Sequence, residues 1–403
     1  MKNILPYLLL FFPFQNLAIG VATTKFDVFP VVLVLLLMAE VLIFERIKYI
    51  SKNQFYKLSC FIIISVLIWI LLHYAPISRF LSALFWLSSL LFVYFSATKL
   101  YSDNIYKSVI ITCLISCLVV LFQFTILRSD RPKAFFQEPS TAGLIFFSLA
   151  IVMMYRIVYR NHLKKSICDV TFLLLFLVCG FLTKSSHVVL VFLLPFLFVL
   201  YGLTMKNFIK VSLGLGTFFI LMMYIVLNNE YFVEKFDFRI IENFNLSQLA
   251  WLRGGEQAVY VAKHSPVFGF GLGSTGCFNF NSQSAFYLDK LDSGNLNLLD
   301  AYSLMFRLII EVGLLTLLFI LYILHNKIKR FMKNFRDRTE PISLDKQSLF
   351  VFGLSIFIGS LIKEPNYGVG PLFVSVLCLG YDIKGLGGIK NNGERSLNIS
   401  RSR

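Results

Sequence analysis

The sequence predicts an all-helical, polytopic membrane protein with about twelve transmembrane helices and one large loop on the outer side. Hydrophobic residues make up 57% of the 403 residues and charged residues only 15%, whereas a soluble domain carries about 25% charged residues. The mean hydropathy of +0.74 agrees with this contrast. Apolar stretches that can cross a bilayer, which takes about 20 residues, recur along the chain.

The same composition excludes other classes of protein. Disorder requires low hydrophobicity, and seven Cys are too sparse for a disulfide scaffold. The net charge of +16 would suggest a nucleic-acid partner in a soluble chain. In a membrane protein it indicates basic cytoplasmic loops and contacts with anionic lipid head groups, so no nucleic-acid partner is expected.

Twelve apolar stretches are predicted to be the transmembrane helices. In chain order they cover residues 4–22, 28–44, 58–75, 80–98, 108–127, 140–158, 169–183, 186–203, 209–227, 303–325, 348–362 and 366–382. The first stretch has features of a signal peptide, because it follows Lys2 and ends at the small-residue pattern Gly20-Val21-Ala22. An uncleaved anchor is favoured, since Pro13 and Gln15 interrupt the apolar run and a second stretch follows at once.

The distribution of Lys and Arg sets the expected orientation. With both termini in the cytoplasm, most of the 38 Lys and Arg residues lie on the inner side, including the loop 326–347 and the tail 383–403. The chain then divides into helices 1–9 over residues 1–227, an outer loop over 228–302, helices 10–12 over 303–382 and the basic tail. That outer loop holds a single Cys and so cannot close an internal disulfide.

Positive charges on the outer side oppose the insertion bias, so their positions are informative. Arg128, Arg131 and Lys133 lie close together, just before Glu138 at the start of the sixth stretch. The planar fork of Arg suits phosphate, which it binds in a bidentate manner. The alternatives are contact with lipid head groups, or structural pairing of these Arg residues with Asp130 or Glu138.

A second outer site is predicted at the hinge between the seventh and eighth stretches, which reads Thr183-Lys184-Ser185-Ser186-His187. It places Lys184 and a His at the outer membrane surface, where an ionisable side chain is a functional candidate. The alternative is that Lys184 only extends its ammonium group to the solvated interface.

The large outer loop supplies further candidates. Residues 251–264 are predicted to form a helix with Arg253, Gln257 and Tyr260 on one face. Trp251 and Tyr260 belong to a set of aromatic residues in this loop. Their rings can pack against the apolar faces of sugars, but equally against lipid or protein.

The same loop contains Gly271-Leu272-Gly273-Ser274-Thr275-Gly276, which spells the G-x-G-x-x-G pattern of dinucleotide-binding proteins. No predicted strand precedes it, so we interpret it as a tight turn whose backbone approaches its surroundings closely; a backbone anion nest is an alternative. The sequence has no P-loop and no paired Cys/His metal spacing. Neither ATP, nor a metal, nor another cofactor is therefore expected.

Four short motifs resemble those of the O-antigen polymerase and O-antigen ligase superfamily of bacterial inner-membrane glycosyltransferases. They are Glu138-Pro139-Ser140, the Thr-x-Ser hinge at 183–185, the run from Pro266 to Gly273 (Pro-x-Phe-Gly-x-Gly-x-Gly), and Glu311-Val312-Gly313-Leu314. Many transmembrane helices and one large periplasmic loop late in the chain are also typical of this superfamily. The resemblance implies the helical, GT-C-like fold of lipid-linked glycosyltransferases.

The resemblance to the polymerases implies an activity. The enzyme would transfer a growing glycan onto the next repeat unit at the periplasmic face, with glycans on undecaprenyl diphosphate as donor and acceptor. Membrane lipids would surround it, and a polysaccharide chain-length regulator is a compatible partner.

Ligases usually carry a His-Asn pair before the Glu-x-Gly motif, where this chain has Tyr302-Ser303. Relatives often carry Arg after Thr-x-Ser, where this chain has Ser186.

The implied chemistry requires fixed cations. Transfer from a diphosphate lipid develops negative charge on the leaving group, and an enzyme without a metal must neutralise it with preorganised positive groups. Arg131 and Arg253 are the first candidates for this role, supported by Arg128 and Lys184.

The acceptor hydroxyl needs a proton acceptor within reach. Glu138, His264 and Asp300 are the outer candidates, and Glu138 is favoured. Asp300, together with the aromatic residues Trp251 and Tyr260, is also expected to contact the substrate.

The sequence alone leaves three other functions open. A ligase would use the same fold to attach the finished glycan to lipid A-core. A flippase for lipid-linked sugars would share the spans and the cations, but transporters more often show repeated halves and charges near the membrane midplane. A non-enzymatic assembly factor would leave the outer Arg cluster without a purpose.

The orientation can be tested by labelling from outside the cell. In a variant without native Cys, we expect Ser129→Cys and Ser293→Cys to react with a membrane-impermeant maleimide, because both positions lie in predicted outer loops. Asn334→Cys, in the predicted inner loop, should react only after the membrane is permeabilised. The reverse pattern would overturn the orientation and every outer-site assignment with it.

Overall fold

Helices provide the regular structure of the chain. The computed structural model describes residues 3–13, 27–43, 50–159, 163–190, isolated positions from 216 to 224, and then 227–235, 241, 244–278, 280–337, 343–364 and 366–381. No strand occurs within these ranges, in agreement with the predicted all-helical fold class.

The described helices follow a short helical turn at Leu5–Leu8 and a 3-10 turn at Leu9–Phe11. They are α1 Val28–Ile43, α2 Lys52–Leu72, α3 Ile77–Leu100, α4 Asn104–Thr125, α5 Pro139–Tyr159, α6 Leu163–Leu182, α7 Glu230–Lys235, α8 Leu246–His264, α9 Gln283–Lys290, α10 Leu304–Val312, α11 Leu314–Asp337, α12 Leu344–Lys363 and α13 Gly370–Gly380.

Five of the described helices, α2, α3, α4, α5 and α12, are long and apolar enough to cross a bilayer. Shorter apolar helical stretches lie at Phe29–Ala39, Ile167–Leu182 and Gly370–Gly380. The protein is therefore a helical membrane protein. The finer prediction of twelve spans stays a prediction.

The five long helices differ in how deeply they are buried in the protein. In α5, 89% of the most apolar 18-residue stretch is buried inside the protein. In α2, only 6% of the corresponding stretch is buried. Large apolar side chains of α2 are exposed, among them Ile63, Leu67 and Leu71. In a helical membrane protein, a continuous apolar surface of this kind is typical of a helix that contacts lipid. The helix α5 is thus central, and α2 lies at the lipid-facing periphery.

A buried ion network fixes one end of the central helices. The Arg156 guanidinium, at the end of α5, contacts Asp169 of α6 at 3.4 Å and Asp345 of α12 at 2.8 Å, and it donates to Ser348 Oγ at 3.0 Å. Arg156 is only 4% exposed, so it needs these partners. The start of α5, the end of α6 and the end of α12 therefore lie together at the opposite end, as antiparallel packing requires.

The predicted helix over 303–325 is wrong as a single element. It is divided into α10 and α11 at Gly313, whose φ of 90° takes the backbone out of the helical region. The Leu315 N–H donates to Pro266 O at 3.1 Å, outside the helix. The second part continues to Asp337, so much of the predicted loop 326–347 is helical; its Lys, Arg and Met residues are good helix formers.

Several predicted segments lie outside the described residues. They include most of the predicted spans 186–203 and 209–227, residues 14–22 of the first span, residues 236–240 of the large loop and the basic tail 383–403.

The start of α5 packs very closely on the hinge that follows α6. A Cβ atom added at Gly143 would lie 2.2 Å from Ser185 Cβ and 2.6 Å from Thr183 Oγ1. Only a glycine at this position allows the contact.

We expect Gly143→Ala to destabilise the protein by about 1–3 kcal/mol, the usual cost of overpacking. Gly216→Ala is a matched control, because no atom of the described residues lies within 4 Å of a Cβ atom placed there. Ala in that helical position should be neutral or stabilising by up to about 1 kcal/mol. Thermal unfolding in detergent compares the two variants. Equal melting temperatures would contradict the close packing of α5 on the hinge.

Candidate functional site

The two predicted outer sites meet at the start of α5. The Lys184 ammonium group of the hinge lies 2.5 Å from Asp130 Oδ1 in the loop before α5. The Ser185 hydroxyl donates to Ser140 O at 3.2 Å and lies 3.0 Å from His187 Nδ1. Residues that are distant in the sequence thus form one polar surface.

The cations of this surface have different surroundings. Lys184 forms the ion pair with Asp130 that the sequence suggested for the neighbouring Arg residues. Arg128 is exposed and has a left-handed backbone with φ of 50°. Arg131 is partly buried. Arg128 and Arg131 therefore stay candidates for binding an anion.

Three carboxylates act on one another electrostatically at the same end, and we call Glu138, Asp300 and Glu364 the outer carboxylate cluster. Glu138 is exposed, and its Oε2 accepts the Ser140 hydroxyl at 2.9 Å. Glu364, at the end of α12, accepts Thr141 Oγ1 from α5 at 3.1 Å. The charge of Glu138 acts on both Asp300 and Glu364, which places the three carboxylates within electrostatic range.

This arrangement changes the proton affinity of two members of the cluster. Burial, reinforced by the negative charge of Glu138, raises the pKa of Glu364 to about 8. Burial also raises the pKa of Asp300, although the N–H of Tyr302 and the positive charge of Arg307 oppose the shift. The cluster therefore combines an exposed carboxylate, Glu138, with a carboxyl group that holds a proton near neutral pH.

A buried carboxylate, Glu311, connects three further segments beside the cluster. Its Oε1 accepts Thr275 Oγ1 from the large loop at 2.9 Å and Arg307 Nε from the previous turn of α10 at 3.0 Å. Its Oε2 accepts the Tyr367 hydroxyl at 3.1 Å. The Arg307 guanidinium also lies 4.1 Å from the centre of the Tyr367 ring, a cation–π contact.

The glycine-rich run of the large loop packs on the break between α10 and α11. The Phe270 N–H donates to Ile310 O at 2.7 Å. A Cβ atom at Gly269 would lie 2.4 Å from Ile310 O, and one at Gly313 would lie 2.3 Å from Val267 O. The Pro266–Gly273 and Glu311–Leu314 motifs are therefore packing partners.

The G-x-G-x-x-G segment has the close backbone contacts that a tight turn predicts. Gly271, Gly273 and Gly276 all have positive φ. A Cβ atom at Gly273 would lie 2.7 Å from the carbonyl carbon of Arg79, and one at Gly276 would lie 2.4 Å from Leu298 O. These glycines fit the segment against α3 and against the end of the loop.

Arg253, a first candidate for binding the diphosphate, lies inside the loop. It is 3% exposed, and its two terminal nitrogens donate to Gly294 O and Leu296 O. Burial lowers its pKa. These contacts give Arg253 a part in holding residues 294–296, and its catalytic role stays a prediction.

The remaining candidates of α8 lie at its two ends. The helix begins at Leu246, after a capping box formed by Asn245 and Gln248, and includes the predicted helix 251–264. His264 is exposed at the last residue of the helix. Its Nδ1 lies 2.8 Å from Tyr260 O, and its ring is tilted by 35° against the Tyr260 ring. Trp251 lies 13 residues before His264, about 20 Å along a helix, so His264 is far from it.

The Trp251 end of α8 borders a pocket of about 170 Å³. The Trp251 indole N–H donates to Ile362 O at 3.2 Å. Tyr302, whose ring centre is 5.5 Å from the Lys363 ammonium group, lines the pocket together with Ser186 and His187. In the sequence, Lys363 directly precedes Glu364, and Tyr302 lies two residues after Asp300. The pocket therefore lies directly beside the outer carboxylate cluster.

Sequence reasoning missed four residues of this site: Thr141, Arg307, Glu364 and Tyr367. A signal existed for Arg307, which stands four residues before Glu311 inside a predicted span. An ionisable pair in such a span is a functional candidate. Thr141, Glu364 and Tyr367 acquire their roles only through tertiary contacts.

Within the described residues, no group of three or more His, Cys, Asp or Glu side chains is arranged to hold a metal ion.

The chain matches no protein-family model and no curated protein. The fold and the site together define a helical membrane protein with a polar site at one end of its most buried helices.

The raised pKa of Glu364 predicts a pH dependence of stability. The folded protein holds this proton more tightly than the unfolded chain, where the pKa is near the ordinary 4.5. Stability should therefore fall as pH rises from about 4.5 to about 8. We expect Glu364→Gln to flatten this decline, with a melting temperature a few degrees above that of the wild type at pH 8.

The matched control is Glu234→Gln, which alters an exposed carboxylate on α7. It should leave the pH profile of the melting temperature unchanged. A wild-type melting temperature that rises between pH 5 and pH 8, or a Glu364→Gln profile parallel to it, would disprove the assignment.

Proposed function

We propose that this protein is an O-antigen polymerase, a glycosyltransferase that joins undecaprenyl-diphosphate-linked repeat units into O-antigen or a related surface polysaccharide. The observation that carries the proposal is the grouping of Glu138, Asp300, Glu364 and Arg307 beside a pocket, at one end of the apolar helices. Glycosyl transfer between lipid-linked substrates needs cations and a proton acceptor at such a membrane boundary.

The resemblance motifs support the same proposal. Glu138-Pro139-Ser140 and the Thr183–Ser185 hinge meet through the Ser185–Ser140 hydrogen bond. The Pro266–Gly273 and Glu311–Leu314 motifs pack on each other through Gly269 and Gly313. Each pair therefore brings together two motifs that are far apart in the sequence.

The reaction divides among the residues as follows. The acceptor hydroxyl attacks the anomeric carbon of the donor sugar and gives its proton to Glu138, the exposed member of the cluster. The bond from the anomeric carbon to the diphosphate oxygen breaks, and the diphosphate leaves with the electron pair. Arg131 and Arg307, with Arg128 in support, neutralise the developing charge. Glu364, held protonated, adds no further negative charge beside the leaving group.

The membrane placement belongs to the proposal as well. We place the protein in the bacterial inner membrane with twelve spans, both termini in the cytoplasm and the site at the periplasmic face. The opposite ends of α5 and α12 would then hold Arg156 and Asp345 near the cytoplasmic side, where basic residues are favoured.

Complementation of a deletion strain tests the proposal. We expect loss of the gene to leave single repeat units on lipid A-core, whereas loss of a flippase would leave none and loss of a ligase would leave lipid A-core without any repeat unit. The gel therefore distinguishes a polymerase from a flippase and from a ligase, which both give lipid A-core without repeat units.

Variants then test the site in the same strain. Arg131→Ala and Arg307→Ala should abolish chain extension, and the corresponding Lys variants should restore it only in part, because Lys lacks the bidentate fork. Glu138→Gln should slow extension by about 100-fold, the typical contribution of a general base. Polysaccharide gels, with immunoblots for protein level, measure both effects.

Arg330→Ala is the control for lost positive charge, because Arg330 is exposed on α11, away from the outer site. It should extend chains as the wild type does. Wild-type chain length in Arg131→Ala and Arg307→Ala would remove the cation assignment, and equal turnover in Glu138→Gln would exclude Glu138 as the base.

A further inference from the structure

One stretch of the large loop, residues 266–271, lies between α11 and α2, and we call it the bridging segment. On the α11 side, Pro266 O accepts the Leu315 N–H at 3.1 Å. On the α2 side, the Phe270 ring stacks on the ring of Tyr74, which follows α2, with 4.6 Å between the ring centres. The segment is therefore fixed to both helices.

Both helices expose apolar side chains beside the bridging segment. Leu318 and Phe319 of α11 are 51% and 61% exposed, and Leu71 of α2 is 80% exposed. Between the two helices, Val267 and Phe268 of the segment are 43% and 51% exposed. Because α2 has the length and composition of a membrane span, this surface continues a face that is typical of contact with lipid.

The contact with α2 gives the level of the bridging segment. A Cβ atom at Gly271 would lie 3.6 Å from Ile68 Cγ2, and Ile68 is four residues before the end of α2 at Leu72. Four residues cover about 6 Å of an α-helix. Tyr74, just after this end, is a residue typical of the membrane–water interface. Gly271 therefore lies about one helical turn inside the end of an apolar helix.

The length of α11 leads to the same level. The first Lys or Arg of α11 is Lys327, twelve residues after Leu315, which corresponds to about 18 Å of helix. The hydrocarbon core of a bilayer is about 30 Å thick. All residues of α10, which precedes α11, are buried or half-buried, so α10 does not extend the exposed apolar surface. The bridging segment stands where that extension is needed.

We propose that the bridging segment inserts Val267 and Phe268 among the lipid acyl chains on the side of the outer site, and so anchors the large loop in the membrane. A depth of about 5–10 Å is usual for apolar side chains that insert from the interface, and the level of Gly271 on α2 agrees with it. This contact does not depend on the proposed reaction. It places the helix break at Gly313 and the nearby carboxylate of Glu311 close to the lipid head groups, where an ionised group needs partners.

Spin-label accessibility in the full-length protein in nanodiscs tests the insertion. In a variant without native Cys, nitroxide labels are attached at Val267→Cys or Phe268→Cys. Electron paramagnetic resonance then compares collisions with oxygen, which enters the acyl region, and with a water-soluble nickel chelate. We expect oxygen to be favoured at both positions, as at Leu318→Cys on α11.

Leu291→Cys is the matched control within the same loop. Leu291 is 53% exposed, much like Phe268, but its neighbours Lys290 and Asp292 are charged and exposed, which keeps it in water. We expect nickel collisions at position 268 to be about threefold or more below those at position 291, because the bilayer core has no water to carry the hydrated chelate.

Two results would overturn the proposal. Equal nickel collisions at positions 268 and 291 would place the bridging segment in water. Few collisions with either reagent, together with dipolar broadening between labels, would assign this surface to a second copy of the chain.

A second measurement keeps all seven native Cys. The photoreactive residue benzoylphenylalanine, placed at position 268 or at position 318 as the lipid-facing reference, should form an adduct with lipid at both positions. A covalent dimer through position 268, or a lipid adduct at position 318 alone, would contradict the insertion of Phe268.

Discussion

The outer site depends on the buried carboxylate of Glu311. It is 1% exposed, and a buried charge is tolerated only when it is paired and hydrogen-bonded. Its partners come from three segments: Thr275 from the large loop, Arg307 from α10 and Tyr367 from the segment before α13. Any displacement of one segment would leave a charge without its donor. The carboxylate therefore holds the loop on the helices with a strength that surface contacts do not provide.

This constraint explains the irregular backbone around Glu311. The large loop reaches Glu311 only because Gly269 and Gly313 let two backbones approach within a distance that a Cβ atom would prevent. The helix break at Gly313 belongs to the same contact, because it aligns Ile310 O with the N–H of Phe270. The glycines and the carboxylate thus form one structural unit, and the break in the predicted span is a consequence of it.

The sequence predicted the helices whose formation depends on composition and on the local pattern of residues. Apolar stretches identified the long helices, and the helical pattern of 251–264 identified most of α8, because both depend on neighbouring residues alone. The break at Gly313 was not predictable, since its cause is a backbone contact with Val267. The same reason explains Arg253. Its charge was readable from the sequence, but the carbonyl groups that accept its hydrogen bonds lie more than forty residues away.

The charged groups of α5 and α12 lie at the ends of these two helices, which fits the proposed reaction at the membrane surface. Between Gly143 and Tyr155, α5 carries no charged residue, and between Lys346 and Lys363, α12 carries none. The polar groups of these two helices that contact other charges are at their ends, at Arg156 and Asp345 on one side and at Thr141 and Glu364 on the other. A transporter needs ionisable groups near the midplane, where its substrate crosses. A site at the end of well-packed helices instead holds its groups in fixed positions, which is what electrostatic preorganisation requires.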